Sequence, residues 1–168
     1  MSENDQDMPM GTKPVEEHKW LQKLVGDWTV ETEMSMGPDT PKMTSKGTES
    51  VQSLGGLWSF AETKGSMPDG TETTSYFALG YDVSFKEYRG CFFADMSSHL
   101  WKYTGSLSED GLTMTLDCEG PSMEVDGETA LYRDVIDIID ENHRTYTSYG
   151  QDKNGEWQEF MKSTYTRT

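Results

Sequence analysis

Strand-like runs alternate with tight-turn signals along almost the whole chain, and this alternation constrains the fold more than any other feature. From residue 27 onward, runs rich in Thr, Val, Tyr, Phe and Trp are separated by Gly, Pro, Asp and Asn. Asp-Gly pairs stand at 69–70, 110–111 and 126–127, and an Asn-Gly pair stands at 154–155. Such pairs favour hairpins, because both residues tolerate the positive φ that matches the twist of antiparallel strands. Consecutive runs are therefore predicted to pair as antiparallel neighbours.

These runs predict ten strands. The strands cover residues 28–36, 43–53, 57–64, 73–81, 88–95, 99–107, 113–119, 128–139, 144–149 and 157–166. No helical pattern interrupts the series, so the strands form an up-and-down meander, and closing the meander into a barrel removes its exposed edges. The predicted fold is an all-β, antiparallel, up-and-down closed barrel of about ten strands. A two-sheet sandwich is the alternative.

The segment over residues 15–25 has the spacing of a helix instead. Trp20, Leu21, Leu24 and Val25 fall on one face of it, and Gly26 stands where a helix ends. Residues 1–14 are polar and acidic, with neither the basic start nor the apolar stretch of a secretory signal. We therefore predict a flexible acidic tail over residues 1–14 and a single domain over residues 15–168, since a chain of this length closes one core.

The charge of the chain limits its partners. The formal net charge is −16, whereas phosphate backbones and anionic lipids attract clustered Lys and Arg. Nucleic acid and membranes are therefore excluded as predicted partners, and no apolar run approaches the length that spans a bilayer. Two cysteines, Cys91 and Cys118, are too few for a disulfide framework and fit a reducing compartment. These observations predict a cytoplasmic protein.

Alternation along the strands sorts the side chains into two faces, because residues two apart point the same way. The more apolar face of each strand is predicted to face inward. Rings on that face either fill the barrel or line a cavity, and a ten-stranded barrel has more room than an eight-stranded one. The predicted ligand-binding residues are Trp58, Phe60, Glu62, Tyr88, Phe92, Trp101, Arg133, Met161 and Tyr165.

Two charged residues belong to sets that also hold apolar members. Glu62 follows Trp58 and Phe60 at two-residue spacing, and Arg133 lies within the eighth predicted strand. Buried charges are tolerable only when paired, so a Glu62–Arg133 contact is predicted if both face inward. Such a pair is either a polar hook for a ligand or a structural lock.

No established catalytic motif is present in the sequence, and no catalytic residue, metal site or cofactor is predicted. The acidic pair Asp134 and Asp137 is interpreted as part of a solvent-facing strand. His99 and His143 could converge at one barrel mouth, which leaves open a haem-binding or enzymatic barrel as an alternative function.

Short motifs in a fixed order resemble one bacterial family. They are Lys-Trp-Leu at 19–21, Leu-Val-Gly-Asp-Trp-Thr-Val at 24–30, Leu-Gly-Gly at 54–56, Leu-Gly-Tyr-Asp at 79–82, Tyr-x-Gly at 88–90, Tyr-Thr-Gly at 103–105 and Ser-Thr-Tyr-Thr-Arg at 163–167. Together they resemble the family known as domain of unknown function 1579, which is similar to the calycin superfamily of lipocalins and fatty-acid-binding barrels. The resemblance implies that Trp28 closes one barrel end beneath Arg167, through a cation–π contact worth about 0.5–2 kcal/mol.

The resemblance leaves the function open. Ala94 stands where relatives often carry an inward acid, which implies a more apolar pocket in this chain. We expect an uncharacterised lipocalin-like barrel that binds a small hydrophobic or amphipathic molecule in its interior. A packed structural or interaction domain with no ligand is the other alternative, and a homodimer is left open.

Overall fold

The computed structural model describes residues 11–168 and contains one short helix followed by ten strands. The helix spans Glu16–Leu24 and is of the 3₁₀ type. The strands are β1 (Gly26–Met34), β2 (Met43–Leu54), β3 (Trp58–Ser66), β4 (Glu72–Asp82), β5 (Glu87–Ala94), β6 (Ser97–Leu107), β7 (Thr113–Pro121), β8 (Thr129–Asp140), β9 (His143–Gln151) and β10 (Trp157–Arg167). Of the predicted tail, residues 1–10 lie outside the described residues, and residues 11–14 belong to no helix or strand.

Each strand pairs in antiparallel fashion with its neighbours in sequence, and β1 pairs with β10. The ring closes with Trp28 opposite Arg167 and Val30 opposite Tyr165. Every strand edge is thereby used within the ring, which is the physical advantage of a closed barrel. The predicted fold class is confirmed, and the alternative sandwich does not form.

The helix covers one end of the barrel, which we call the helix end. Its buried residues are His18, Trp20, Leu21 and Leu24. The Trp20 Nε1 donates to the Gly111 carbonyl at 3.0 Å, and the Trp28 Nε1 donates to the Leu24 carbonyl at 2.9 Å. These hydrogen bonds fix the helix across the end of the barrel.

Gly26 is the first residue of β1, just after the helix, and its φ is +130°. Residues other than glycine rarely adopt this backbone conformation. A Cβ at this position would also collide with the guanidinium of Arg167. The predicted helix stop therefore has two structural reasons, a backbone conformation and a close side-chain approach.

The opposite end of the barrel carries the connections 35–42, 67–71, 95–96, 122–128 and 152–156, and we call it the loop end. No helix within residues 11–168 has the length and apolar content needed to cross a membrane.

Candidate functional site

A cavity of about 340 Å³ runs through the barrel interior. Its floor includes Leu24 of the helix, and it reaches the loop end between Met34, Met67 and Met96. The helix therefore closes the cavity at one end only, and the site is a deep pocket along the barrel axis.

Aromatic side chains form the wall nearer the loop end. The rings of Trp101 and Tyr132 meet edge to face with centroids 5.0 Å apart, and Tyr132 meets Phe160 at 6.2 Å. Phe92, opposite Trp101 on the neighbouring strand, also lines the cavity. This part of the pocket offers apolar surface to a bound molecule.

A buried carboxylate lies in the middle of the pocket. Asp134 is 7% exposed, and its Oδ2 accepts hydrogen bonds from the hydroxyls of Tyr103 and Tyr146, both at 2.6 Å. Phe77 packs edge to face against both tyrosines, with centroids 5.8 Å and 6.2 Å away. All four residues line the cavity, and we call them the Asp134 cluster.

Burial dominates the electrostatics of the Asp134 cluster. Loss of solvent raises the pKa of Asp134 above its ordinary value, although hydrogen bonds from Tyr103, Tyr146 and Ser148 oppose the shift. Burial and the neighbouring carboxylate also raise the pKa of both tyrosines. The tyrosine hydroxyls therefore stay protonated and act as donors toward Asp134.

We expect the contribution of Asp134 to stability to depend on pH. Because its pKa is raised in the folded state above its ordinary value of 3.8, the folded state binds the proton more tightly. The contribution is fully present below the unfolded-state pKa and is lost as the pH rises through the folded-state pKa. Urea unfolding of the wild type and Asp134→Asn should therefore give a stability difference that shifts in favour of the wild type as the pH falls. A difference that does not change with pH would contradict this.

A buried ion pair forms the floor of the pocket. Arg144 and Glu49 pair with side chains only 4% and 7% exposed, and Thr63 donates to the other Glu49 oxygen at 2.9 Å. The Arg144 guanidinium carbon lies 3.8 Å from the ring centroid of Tyr165 and 4.7 Å from that of Trp28. Its Nε is enclosed and makes no hydrogen bond among the described residues. Because these two charges are buried and paired with each other, they link β2 to β9 across the floor of the pocket.

Arg167 completes the helix end. Its guanidinium carbon lies 4.1 Å from the Trp28 ring centroid, which is the contact that the family resemblance implies. The same guanidinium donates to the carbonyls of Val25, Lys23 and Glu141 at 2.6, 3.1 and 3.0 Å. Arg167 thus ties the helix and the β8–β9 turn to the last strand.

Four of the predicted binding residues line the cavity, namely Phe92, Trp101, Met161 and Tyr165. Tyr88 is buried, but it lies beneath the helix, where its hydroxyl donates to the Glu17 carbonyl at 2.7 Å. It is not among the residues that line the pocket.

The prediction for β3 chose the wrong face. Trp58 and Phe60 are 42% and 40% exposed, whereas Ser59 and Ala61 are buried and line the cavity. The more apolar face of β3 was predicted to face inward, but the inward positions of β3 hold small side chains beside the cavity. The Phe60 ring instead stacks on Tyr76 on the outer wall, with centroids 5.7 Å apart.

The Glu62–Arg133 contact, which was predicted only if both side chains face inward, does not form. Glu62 accepts a hydrogen bond from the Tyr76 hydroxyl at 2.8 Å on the outer wall. Arg133 pairs with Asp117 at 2.7 Å and lies over the Trp157 ring, 4.7 Å from its centroid. Neither charge lines the cavity.

The three histidines lie apart. His99 lies near the start of β6 at the loop end, where its ring packs against Trp101. His143 pairs with Asp140 at the helix end. His18 is buried in the helix, within 3.1 Å of the Tyr81 carbonyl. The predicted convergence of His99 and His143 is wrong, because the strands that carry them start at opposite ends, and no histidine lines the cavity.

The polar residues of the pocket escaped the sequence prediction, and the solvent-facing assignment of Asp134 is wrong. The signal was present in β8, where Tyr132, Asp134, Ile136 and Ile138 alternate on one face. Because Asp134 shares two-residue spacing with three apolar residues, the pattern indicates that its side chain also points inward. The family resemblance implied a more apolar pocket, but the lining also includes the buried polar groups of Asp134, Glu49 and Arg144.

Comparison with known families gives a match over most of the chain. The family described as a protein of unknown function, DUF1579, matches residues 13–167. The chain belongs to the DUF1579 family. The resemblance carried by the sequence motifs is thereby confirmed. No curated protein matches this DUF1579 member.

Solved structures share its fold. The S-type phycobiliprotein lyase CPES from Guillardia theta is 12% identical, with a TM-score of 0.60 over 90% of this chain and 92% of that chain. Rv2717c from M. tuberculosis is also 12% identical, with a TM-score of 0.60 over 92% and 98% of the two chains. A redesigned barrel, mFAP0, bound to DFHBI, is 15% identical with a TM-score of 0.49 over 87% and 100% of the two chains. At these identities the likeness to the lyase and to Rv2717c, each with a TM-score of 0.60, shows the barrel fold alone.

Proposed function

We propose that this DUF1579 protein binds a small, partly apolar molecule inside its barrel. The observation that carries the proposal is the cavity of about 340 Å³, which falls within the range of about 300–1,000 Å³ typical of small-molecule sites. Protein interiors normally pack densely, so a purely structural barrel would gain stability by filling this space. The unfilled volume favours binding over a packed scaffold.

The walls of the pocket indicate the character of the ligand. Phe92, Trp101 and Phe160 present apolar rings, while the Asp134 cluster and several hydroxyls interrupt that surface with polar groups. Met34, Met67 and Met96 line the pocket at the loop end, and methionine adapts to ligands of different shape. We infer a ligand that approaches from the loop end and buries an apolar body.

Binding can be tested with N-phenyl-1-naphthylamine, a neutral dye whose fluorescence rises in apolar surroundings. Ala61 is buried and lines the cavity, so the ring in Ala61→Phe is expected to occupy the ligand volume. We expect dye affinity to fall at least about tenfold, which corresponds to about 1.4 kcal/mol. Ser75→Phe, at another cavity-lining position, serves if circular dichroism shows that the first variant does not fold.

The neighbouring residue provides the matched control. Phe60 lies on the outer wall with 40% exposure, so Phe60→Ala should leave dye affinity unchanged. Weakened binding in Phe60→Ala with unchanged binding in Ala61→Phe would place the dye on the outer wall and contradict the proposal. The absence of any dye binding to the wild type would also contradict it.

A further inference from the structure

The carboxyl group of Asp134 has no cationic partner among the described residues of the barrel interior. Glu49 is neutralised by Arg144, and none of the ion pairs among the described residues includes Asp134. Its hydrogen-bond partners among residues 11–168 are the hydroxyl groups of Tyr103, Tyr146 and Ser148. A buried carboxylate without a cation is costly, so a pocket that retains one is suited to a ligand that supplies the positive charge.

The rings around Asp134 suit the same ligand. Phe77 meets Tyr103 and Tyr146 edge to face, and the hydroxyls of these two tyrosines lie 3.4 Å apart beside the carboxylate. Aromatic faces attract organic cations, most strongly where water is excluded. Because both tyrosine hydroxyls donate to Asp134, the group that binds here must bring its own hydrogen-bond donors or charge.

We propose that the ligand is an organic cation, an amine with an apolar body, whose charged head binds at the Asp134 cluster. This inference rests on the proposed function, because it names the chemical class that the pocket takes. The body of the amine would extend along Phe92 and Trp101 toward the loop end.

Two further observations disfavour an anionic ligand. The Nε of Arg144 is enclosed, and its guanidinium already pairs with Glu49. Lys46 is the other cation among the described residues that line the cavity, but its side chain is 82% exposed and pairs with Glu31. Neither is therefore available inside the pocket to a carboxylate. The net charge of −16 raises the local concentration of cations around the protein and repels anions.

Three probes with the same body and different heads test the proposal, namely octylamine, 1-octanol and octanoate. Each is titrated against bound N-phenyl-1-naphthylamine at neutral pH, where octylamine is protonated. We expect octylamine to bind at least about tenfold tighter than the other two, because a factor of about ten corresponds to the lower end of the coupling measured for close charge pairs at one protein interface. Equal affinities, or tighter binding of octanol or octanoate, would overturn the proposed class while dye binding in the cavity would still support the proposed function.

Two isosteric variants separate a local effect from the overall charge. Asp134→Asn removes the buried charge, and we expect the affinity for octylamine to fall to that of octanol. Asp137→Asn removes the same charge from a side chain that bonds Thr113 at 2.7 Å and does not line the cavity, and the amine preference should persist. Should Asp134→Asn unfold, the comparison of the three probes on the wild type and on Asp137→Asn still decides the question. Loss of the preference in Asp137→Asn would assign it to surface charge and overturn the proposal.

Discussion

Glu49→Gln should lower the free energy of unfolding by about 3–5 kcal/mol, because it leaves the Arg144 guanidinium buried without a counter-charge. Arg144 is fixed by its contacts with Tyr165 and Trp28, so it cannot reach water without disturbing the barrel floor. Urea unfolding at neutral pH measures the loss as a lower midpoint with an unchanged slope.

A surface ion pair offers the matched control for this substitution. Glu31 pairs with Lys46 on the outer wall, where the side chains are 68% and 82% exposed. Glu31→Gln changes the net charge by the same amount, yet exposed pairs contribute only about 0–1 kcal/mol. Equal effects of the two substitutions would show that Glu49 acts through net charge rather than through its buried partner.

The double replacement Glu49→Met with Arg144→Met provides a further check. Apolar residues of similar volume often replace a buried ion pair without loss of stability. We expect the double variant to be more stable than Glu49→Gln. A double variant that is less stable would mean that the pair stabilises the floor beyond mutual neutralisation.

Trp28→Ala is expected to lower the free energy of unfolding by about 3–5 kcal/mol, as for other buried tryptophans. Trp28 is 2% exposed and joins three elements: its ring lies beneath the guanidinium groups of Arg144 and Arg167, and its Nε1 donates to Leu24. Its loss leaves a cavity, an unpaired carbonyl at the helix end and two cations without their ring. Urea or thermal unfolding followed by circular dichroism measures the effect.

Trp58 is the control for ring size. It lies on the outer wall with 42% exposure, over Gly80 of the neighbouring strand. Trp58→Ala is expected to cost about 1 kcal/mol or less. A loss as large as that of Trp28→Ala would contradict the assignment of Trp28 as the residue that closes the barrel.

Local chemistry was sufficient to predict the order of the elements. Turn pairs such as Asp126 with Gly127 have few alternatives to a hairpin connection, and strand propensity is expressed over runs of several residues. The sites at which the chain turns therefore follow from sequence neighbours. The Trp28–Arg167 contact was available only through the family resemblance, since nothing local links residues so far apart in the chain.

The sequence by itself determined that the chain forms ten antiparallel strands behind one short helix, because turn residues and two-residue alternation act over a few positions. The tertiary structure decided which face of each strand points inward. In β3 the barrel places Ser59 and Ala61 beside the cavity and leaves the rings of Trp58 and Phe60 outside, because an interior that keeps a pocket open needs small side chains there. Burial of Asp134 among Tyr103 and Tyr146, and of Glu49 against Arg144, depended on ring closure, which joins strands that are distant in sequence.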